Sequence, residues 1–124
     1  MFNSMITFLY YQDLEYGDYF MKNILQLTEV MDQGFAKIYQ VNEKAFLGIV
    51  SKDQRDNITE DTLISLSTND VEKSYQQFTK QKVINLSSIK EFPQIPLRSF
   101  FFEDNEGHHF EIQEFLNTTH KNQF

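Results

Sequence analysis

The chain contains no cysteine and no tryptophan, only 4 glycines and 2 prolines, and 11 basic residues against 18 acidic ones. Without cysteine there can be no disulfide, no thiolate metal site and no cysteine nucleophile, a composition compatible with a reducing, cytoplasmic compartment. With so few glycines, none in the required spacing, there is no phosphate-cradling loop, and no serine stands in a nucleophile elbow. The shortage of Lys and Arg leaves a formal net charge of −7. Such a surface repels phosphate backbones and anionic bilayers, so neither nucleic acid nor membrane is an expected partner, whereas a cationic ligand is favoured. No apolar run reaches the roughly 18 residues of a membrane span. The first residues, Met1 to Thr7, lack both a basic region and an apolar core with a small-residue cleavage site, so a soluble, intracellular protein is expected.

What is present is one domain's worth of chain, 124 residues, with 13 Phe and 6 Tyr to build a ring-packed core or a ring-lined pocket. Ile6 to Tyr11 is a β-branched and aromatic run and predicts a strand. Asp13 then caps a helix of about three to four turns carrying Leu14, Tyr16, Phe20, Ile24 and Leu27, weakened slightly by Gly17. Thr28 to Met31 is a short strand, and Asp32-Gln33-Gly34 a turn whose glycine needs positive φ. Phe35 to Val41 and Ala45 to Ser51 form a hairpin. Residues 52–61 are polar, without periodicity, and read as a linker. Thr62 to Ser67 is a strand; Asn69 with Glu72 forms a capping box for a helix whose apolar side is Val71, Tyr75 and Phe78. Val83 to Leu86 is a short strand and Ser87 to Leu97, with both prolines, an irregular loop. Arg98 to Glu103 and His108 to Phe115 are strands around an Asp104-Asn105-Glu106-Gly107 turn, and residues 117–124 are a polar, frayed tail.

The order strand-helix-strand-strand-strand thus occurs twice, from about residue 5 to 51 and from about 62 to 116. The segment from Arg98 to Glu111, with its aromatic run, Asp104, Gly107, His108 and Glu111, resembles the last hairpin of the vicinal oxygen chelate superfamily, which holds glyoxalases, bleomycin and fosfomycin resistance proteins and extradiol dioxygenases. Asn105 and Glu106 depart from the family's Pro and Asp. Asp13 followed by Phe20 matches the start of its first helix. The resemblance implies an α+β fold in which two paired βαβββ modules form a cupped eight-stranded mixed sheet, in one domain, and commonly a homodimer.

The resemblance also implies where a divalent metal would be held. The ligand positions fall on Ile6, Gly48, Leu63 and Glu111. One carboxylate among apolar residues cannot hold a hard or borderline cation, so no metal cofactor is expected. His109 and Glu111 share one face of their strand and His108 the other, so at most two of the three converge. The implied ligand-binding residues are Phe8, Tyr10, Phe46, Ser65, Ser67, His109 and Glu111. Glu111 has three readings: a general base on a small carbonyl substrate, with Tyr10 or His109 as acid; an anchor for a ligand amine; or a carboxylate merely bonded to a neighbouring Tyr or Ser. Arg98 either meets an anionic ligand group or pairs with Glu103 or Asp104. The expected function is small-molecule binding, of a cationic drug for example, with a metal-independent lyase or isomerase as the alternative.

Overall fold

The computed structural model describes residues 1, 3–54, 62–93 and 96–124, in two compact units, Met1–Thr59 and Glu60–Phe124. In the first, β1 (Met5–Tyr11) leads to α1 (Leu14–Tyr19), then β2 (Thr28–Asp32), β3 (Ala36–Asn42) and β4 (Ala45–Ser51). The strands form one mixed sheet in the order β1-β4-β3-β2, with β1 parallel to β4 and the other pairs antiparallel. In the second, β5 (Leu63–Ser67) leads to α2 (Val71–Phe78), β6 (Lys90–Phe92), β7 (Leu97–Glu103) and β8 (His109–Phe115). The order β5-β8-β7-β6 repeats the first sheet's topology, including its one parallel pair, β5 with β8. The expected α+β class and its doubled module are therefore present, the eight strands lying in two four-stranded sheets.

Each helix covers one face of its own sheet. Asp13 caps α1 by accepting the Tyr16 N–H, and α1 passes into a wider π turn over Phe20–Ile24, which ends the helix sooner than the apolar spacing to Leu27 suggests. Phe20, Met21 and Ile24 are buried with Leu9, Tyr11, Tyr39, Leu47 and Ile49. Gly17 is more than a weak point: a Cβ there would sit 3.0 Å from the Tyr11 ring, so the missing side chain lets α1 lie close on β1. On the same side the Tyr39 hydroxyl donates to Asp18 at 2.6 Å, and Lys22 and Lys37 bridge Asp18 to Glu29. In the second module Phe100, Phe102, Phe110 and Ile112 alternate with the opposite face and pack under α2, where Phe78 lies 4.6 Å from Phe102 and Tyr75 meets Phe100 edge-on at 5.2 Å.

Several expectations need correction. The cap of α2 is Asp70, which accepts the Lys73 N–H, rather than Asn69; the helix starts one residue later than the capping box predicts. Residues 83–86 make only a single bridge, Ile84 to Glu103, instead of a strand. The loop before Arg98 holds a strand, β6, an edge of three residues whose pairing comes from β7 rather than from its own sequence. The tail is a helix, α3 (Thr118–Gln123), capped by Asn117 and fastened where Phe124 stacks on Phe115 at 5.0 Å. Gly34 adopts φ +85, as its turn requires. The linker begins as a single 3-10 turn, Lys52–Gln54, and its remainder, 55–61, lies outside the described residues.

Candidate functional site

The face of the second sheet opposite α2 carries three rows set by strand register. Leu63 lies beside His109 and Glu103; Ser65 beside Glu111 and Phe101; Ser67 beside Gln113 and Ser99. The Ser65 hydroxyl donates to Glu111 Oε1 at 2.6 Å. Glu111 is thus a half-buried carboxylate already joined to a hydroxyl rather than a lone charge on an apolar floor. The buried Ser99 hydroxyl has no partner among the described residues.

At one end of this face opens a pocket of about 440 Å³ whose walls include Leu63, Asn85, Phe101, Glu103 and His109. Its polar side is assembled by a backbone clamp: Ile84 and Glu103 exchange N–H···O bonds of 2.9 and 2.8 Å. The clamp presents Asn85, in the left-handed region at φ 54, so that its Nδ2 donates to Glu103 Oε2 at 3.1 Å. His109 Nδ1 stands 3.9 Å from the same oxygen, beyond hydrogen-bond reach. Glu111 and Ser65 do not line this pocket.

His108 points elsewhere. Its Nδ1 lies 2.8 Å from Oδ2 of Asp104, a carboxylate only 1% exposed whose other oxygen accepts the Glu106 and His108 N–H groups. The pair closes the β7–β8 turn. Arg98 pairs with Glu72 on α2 rather than with Glu103 or Asp104, and that hydrogen bond holds its guanidinium still more firmly protonated.

The remaining predicted residues belong to the first module. Ile6, Phe8 and Tyr10 alternate with the buried Leu9 and Tyr11 and so face away from α1; Phe46 pairs with Ile6 and shares that face. Phe8, 40% exposed, lays its ring across Gly48, where any Cβ would overlap it. The structure thus brings together Ser65 and Glu111, sets Ser67 and His109 in the neighbouring rows, and groups Phe8, Tyr10 and Phe46 separately on the first sheet. Glu103 and Asn85 were missed as pocket residues. Strand alternation places Glu103 on the face of His109 and Glu111 and could have signalled it; the approach of Asn85 has no sequence signal.

The donor set does not suit a metal. No group of three His, Cys, Asp or Glu able to hold an ion occurs among the described residues. Of the implied ligand positions, Ile6 and Leu63 have no donor and Gly48 lies under an aromatic ring.

No family model matches the sequence, and no curated protein does. Solved structures do match. A glyoxalase/bleomycin resistance protein/dioxygenase superfamily member from Sphaerobacter thermophilus aligns with TM-score 0.79 and 18% identity, over 92% of this chain and 98% of that one. The fosfomycin resistance protein FosX from Listeria monocytogenes aligns with TM-score 0.75 and 17% identity, over 98% of each chain. A lactoylglutathione lyase from Agrobacterium tumefaciens aligns with TM-score 0.74 and 18% identity, over 89% and 91%. The chain therefore has the fold of the glyoxalase/bleomycin resistance protein/dioxygenase superfamily.

Proposed function

We propose that this chain is a small-molecule-binding protein of the glyoxalase/bleomycin resistance type, acting without a metal. The observation that carries this reading is the pocket of about 440 Å³ on the face of the second sheet that α2 leaves open, with an apolar side from Leu63 and Phe101 and a polar side from Asn85, Glu103 and His109. That size and mixture are typical of small-molecule sites. A drug-resistance role is in keeping with the fold shared with a fosfomycin resistance protein, and the net charge of −7 favours a cationic drug. Phe8, Tyr10 and Phe46 on the first sheet and Ser65, Ser67, His109 and Glu111 on the second are assigned to the ligand faces. The protein acts in the cytoplasm as a homodimer, so light scattering should return twice the 14.8 kDa chain mass; a monomer would overturn that part.

The test is a thermal-shift panel of bleomycin-class glycopeptides, fosfomycin and small keto acids. A ligand at a hundred times its Kd adds about 2.7 kcal/mol, which for a chain of this size raises Tm by roughly 8–10 °C. No shift from any member would overturn the drug-binding reading.

A second reading rests on the Ser65–Glu111 bond of 2.6 Å, which orients a carboxylate with its second oxygen unpartnered among the described residues. Glu111 is then a general base on a small carbonyl substrate, with His109 as acid. Glu111→Gln should lower turnover about 10²- to 10⁴-fold with little change in KM. Unchanged turnover would retire it.

A further inference from the structure

We infer that the second module's pocket selects a cationic group, an amine or amidine carried on a short apolar or aromatic body, and that Glu103 rather than Glu111 is its anchor. The inference rests on the proposed ligand face and adds the class of ligand and the atom that receives it.

Four observations lead there. Glu103 lines the pocket whereas Glu111 does not. Among the described residues no lysine or arginine pairs with Glu103, and the basic side chain that comes within 4 Å of it is His109, at 3.9 Å. The other acidic and basic side chains of this module that meet are already matched, Arg98 with Glu72, His108 with Asp104 and Lys121 with Glu114. Finally, Asn85 holds Glu103 Oε2 at 3.1 Å while Oε1 has no partner among the described residues, so the carboxylate is oriented before a ligand arrives and keeps an oxygen for it.

Chemistry then sets the ligand. An oriented, uncompensated carboxylate takes a charge-assisted hydrogen bond from an N–H cation and repels an anion. His109 is too far from Glu103 for a direct hydrogen bond, and the Glu103 side chain is 28% exposed, so a ligand can reach it. Phe101 borders the pocket with an aromatic ring, a surface that tolerates a cation better than an aliphatic wall does. Glu111, joined through one oxygen to Ser65, stands one row away and does not line the pocket.

The experiment uses the full chain, isotope-labelled, titrated by NMR with benzamidine, benzylamine, benzyl alcohol and benzoate. The two cations should shift the amide signals of Asn85, Glu103 and His109, and the neutral and anionic analogues should not at equal concentration. Glu103→Gln keeps an acceptor for Asn85 and should weaken benzamidine about ten- to a hundredfold. Asn85→Ala and Glu111→Gln should each weaken it less than Glu103→Gln does. Loss of binding in Glu111→Gln but not in Glu103→Gln would overturn this anchor while leaving the ligand face in place. Equal binding of benzoate or benzyl alcohol would overturn the selectivity. Shifts confined to other parts of the chain would overturn both the anchor and the assignment of this face.

Discussion

Asp104 offers the sharpest test of how the β7–β8 hairpin is held. Its carboxylate is 1% exposed, and its donors include Glu106 N–H at 2.9 Å and His108 N–H at 3.0 Å on one oxygen and His108 Nδ1 at 2.8 Å on the other. Replacing it by alanine strands two backbone N–H groups and an imidazole at a part-buried turn. Hydrogen bonds to a charged group contribute about 1.5–3 kcal/mol each, but the half-buried turn lets water reach some of the orphaned donors, so Asp104→Ala should cost about 3–5 kcal/mol in all. Asp104→Asn keeps a carbonyl oxygen for both backbone donors and disturbs only the His108 contact, so it should cost about 1–2 kcal/mol. Urea unfolding followed by circular dichroism measures both, with an unchanged m-value showing that the folded state is the same. For a chain of this length Tm falls by about 4 °C per kcal/mol, so the two variants should separate by roughly 8–12 °C. A loss below about 1 kcal/mol in the alanine variant would show that water replaces the carboxylate without penalty. Equal losses in both variants would show that the charge facing His108, not the acceptor for the turn, is what matters.

Gly48→Ala forces the Phe8 ring off its seat; because that ring is 40% exposed it can swing outward, so the cost should be about 1 kcal/mol, and combined with Phe8→Ala the effect should be less than additive in a double-mutant cycle. Burial raises the Asp18 carboxyl, but the Tyr39 hydroxyl, Lys22 and Lys37 outweigh it and hold the group below its ordinary value of 3.8. Asp18 thus stabilises the fold above that value and the contribution is lost as pH falls through the folded-state value, so acid unfolding of Asp18→Asn should show a shallower low-pH limb. Burial, then the bond to Asp18, raises the Tyr39 phenol above its ordinary 10.0, so stability should decline as pH climbs past that value, and Tyr39→Phe should flatten the decline in equilibrium unfolding. Phe124→Ala removes the stack on Phe115 and should cost about 0.5–1 kcal/mol, with a matching loss of α3 protection in hydrogen exchange.

The strands that could be read from sequence were those whose own residues dictate them. Met5–Tyr11 is rich in β-branched and aromatic residues, and Leu97–Glu103 with His109–Phe115 flank an Asp-to-Gly turn, so local propensity and final structure agree. The elements misjudged are those decided by distant partners. Lys90–Phe92 is a strand because β7 offers a free edge, although the prolines beside it argue for a loop. The last eight residues are polar enough to fray, yet Phe124 finds Phe115 and the helix between them follows. The α2 cap was misplaced by one residue because Asn69 and Asp70 are both good caps, and only the geometry of the Lys73 N–H separates them.

The same division runs through the candidate site. Strand alternation groups Ser65 with Ser67 and His109 with Glu111, since period two is a local rule; the family resemblance joins the two pairs on one face, and the register sets them in adjacent rows. What alternation cannot supply is which carboxylate on that face is already engaged. Glu111 looks isolated in sequence because Ser65 is distant along the chain, and Glu103 looks like a partner for Arg98 because they share a strand. Folding exchanges those roles: β5 brings Ser65 beside Glu111, α2 takes Arg98 through Glu72, and the Ile84 bridge delivers Asn85 to Glu103. Each exchange is a long-range pairing, and each alters the free valence of a carboxylate without altering its place on the strand. A charge's place on its strand is therefore readable from the sequence well before its partners and its pocket are, and the pocket decides which of the two carboxylates should respond to a cation.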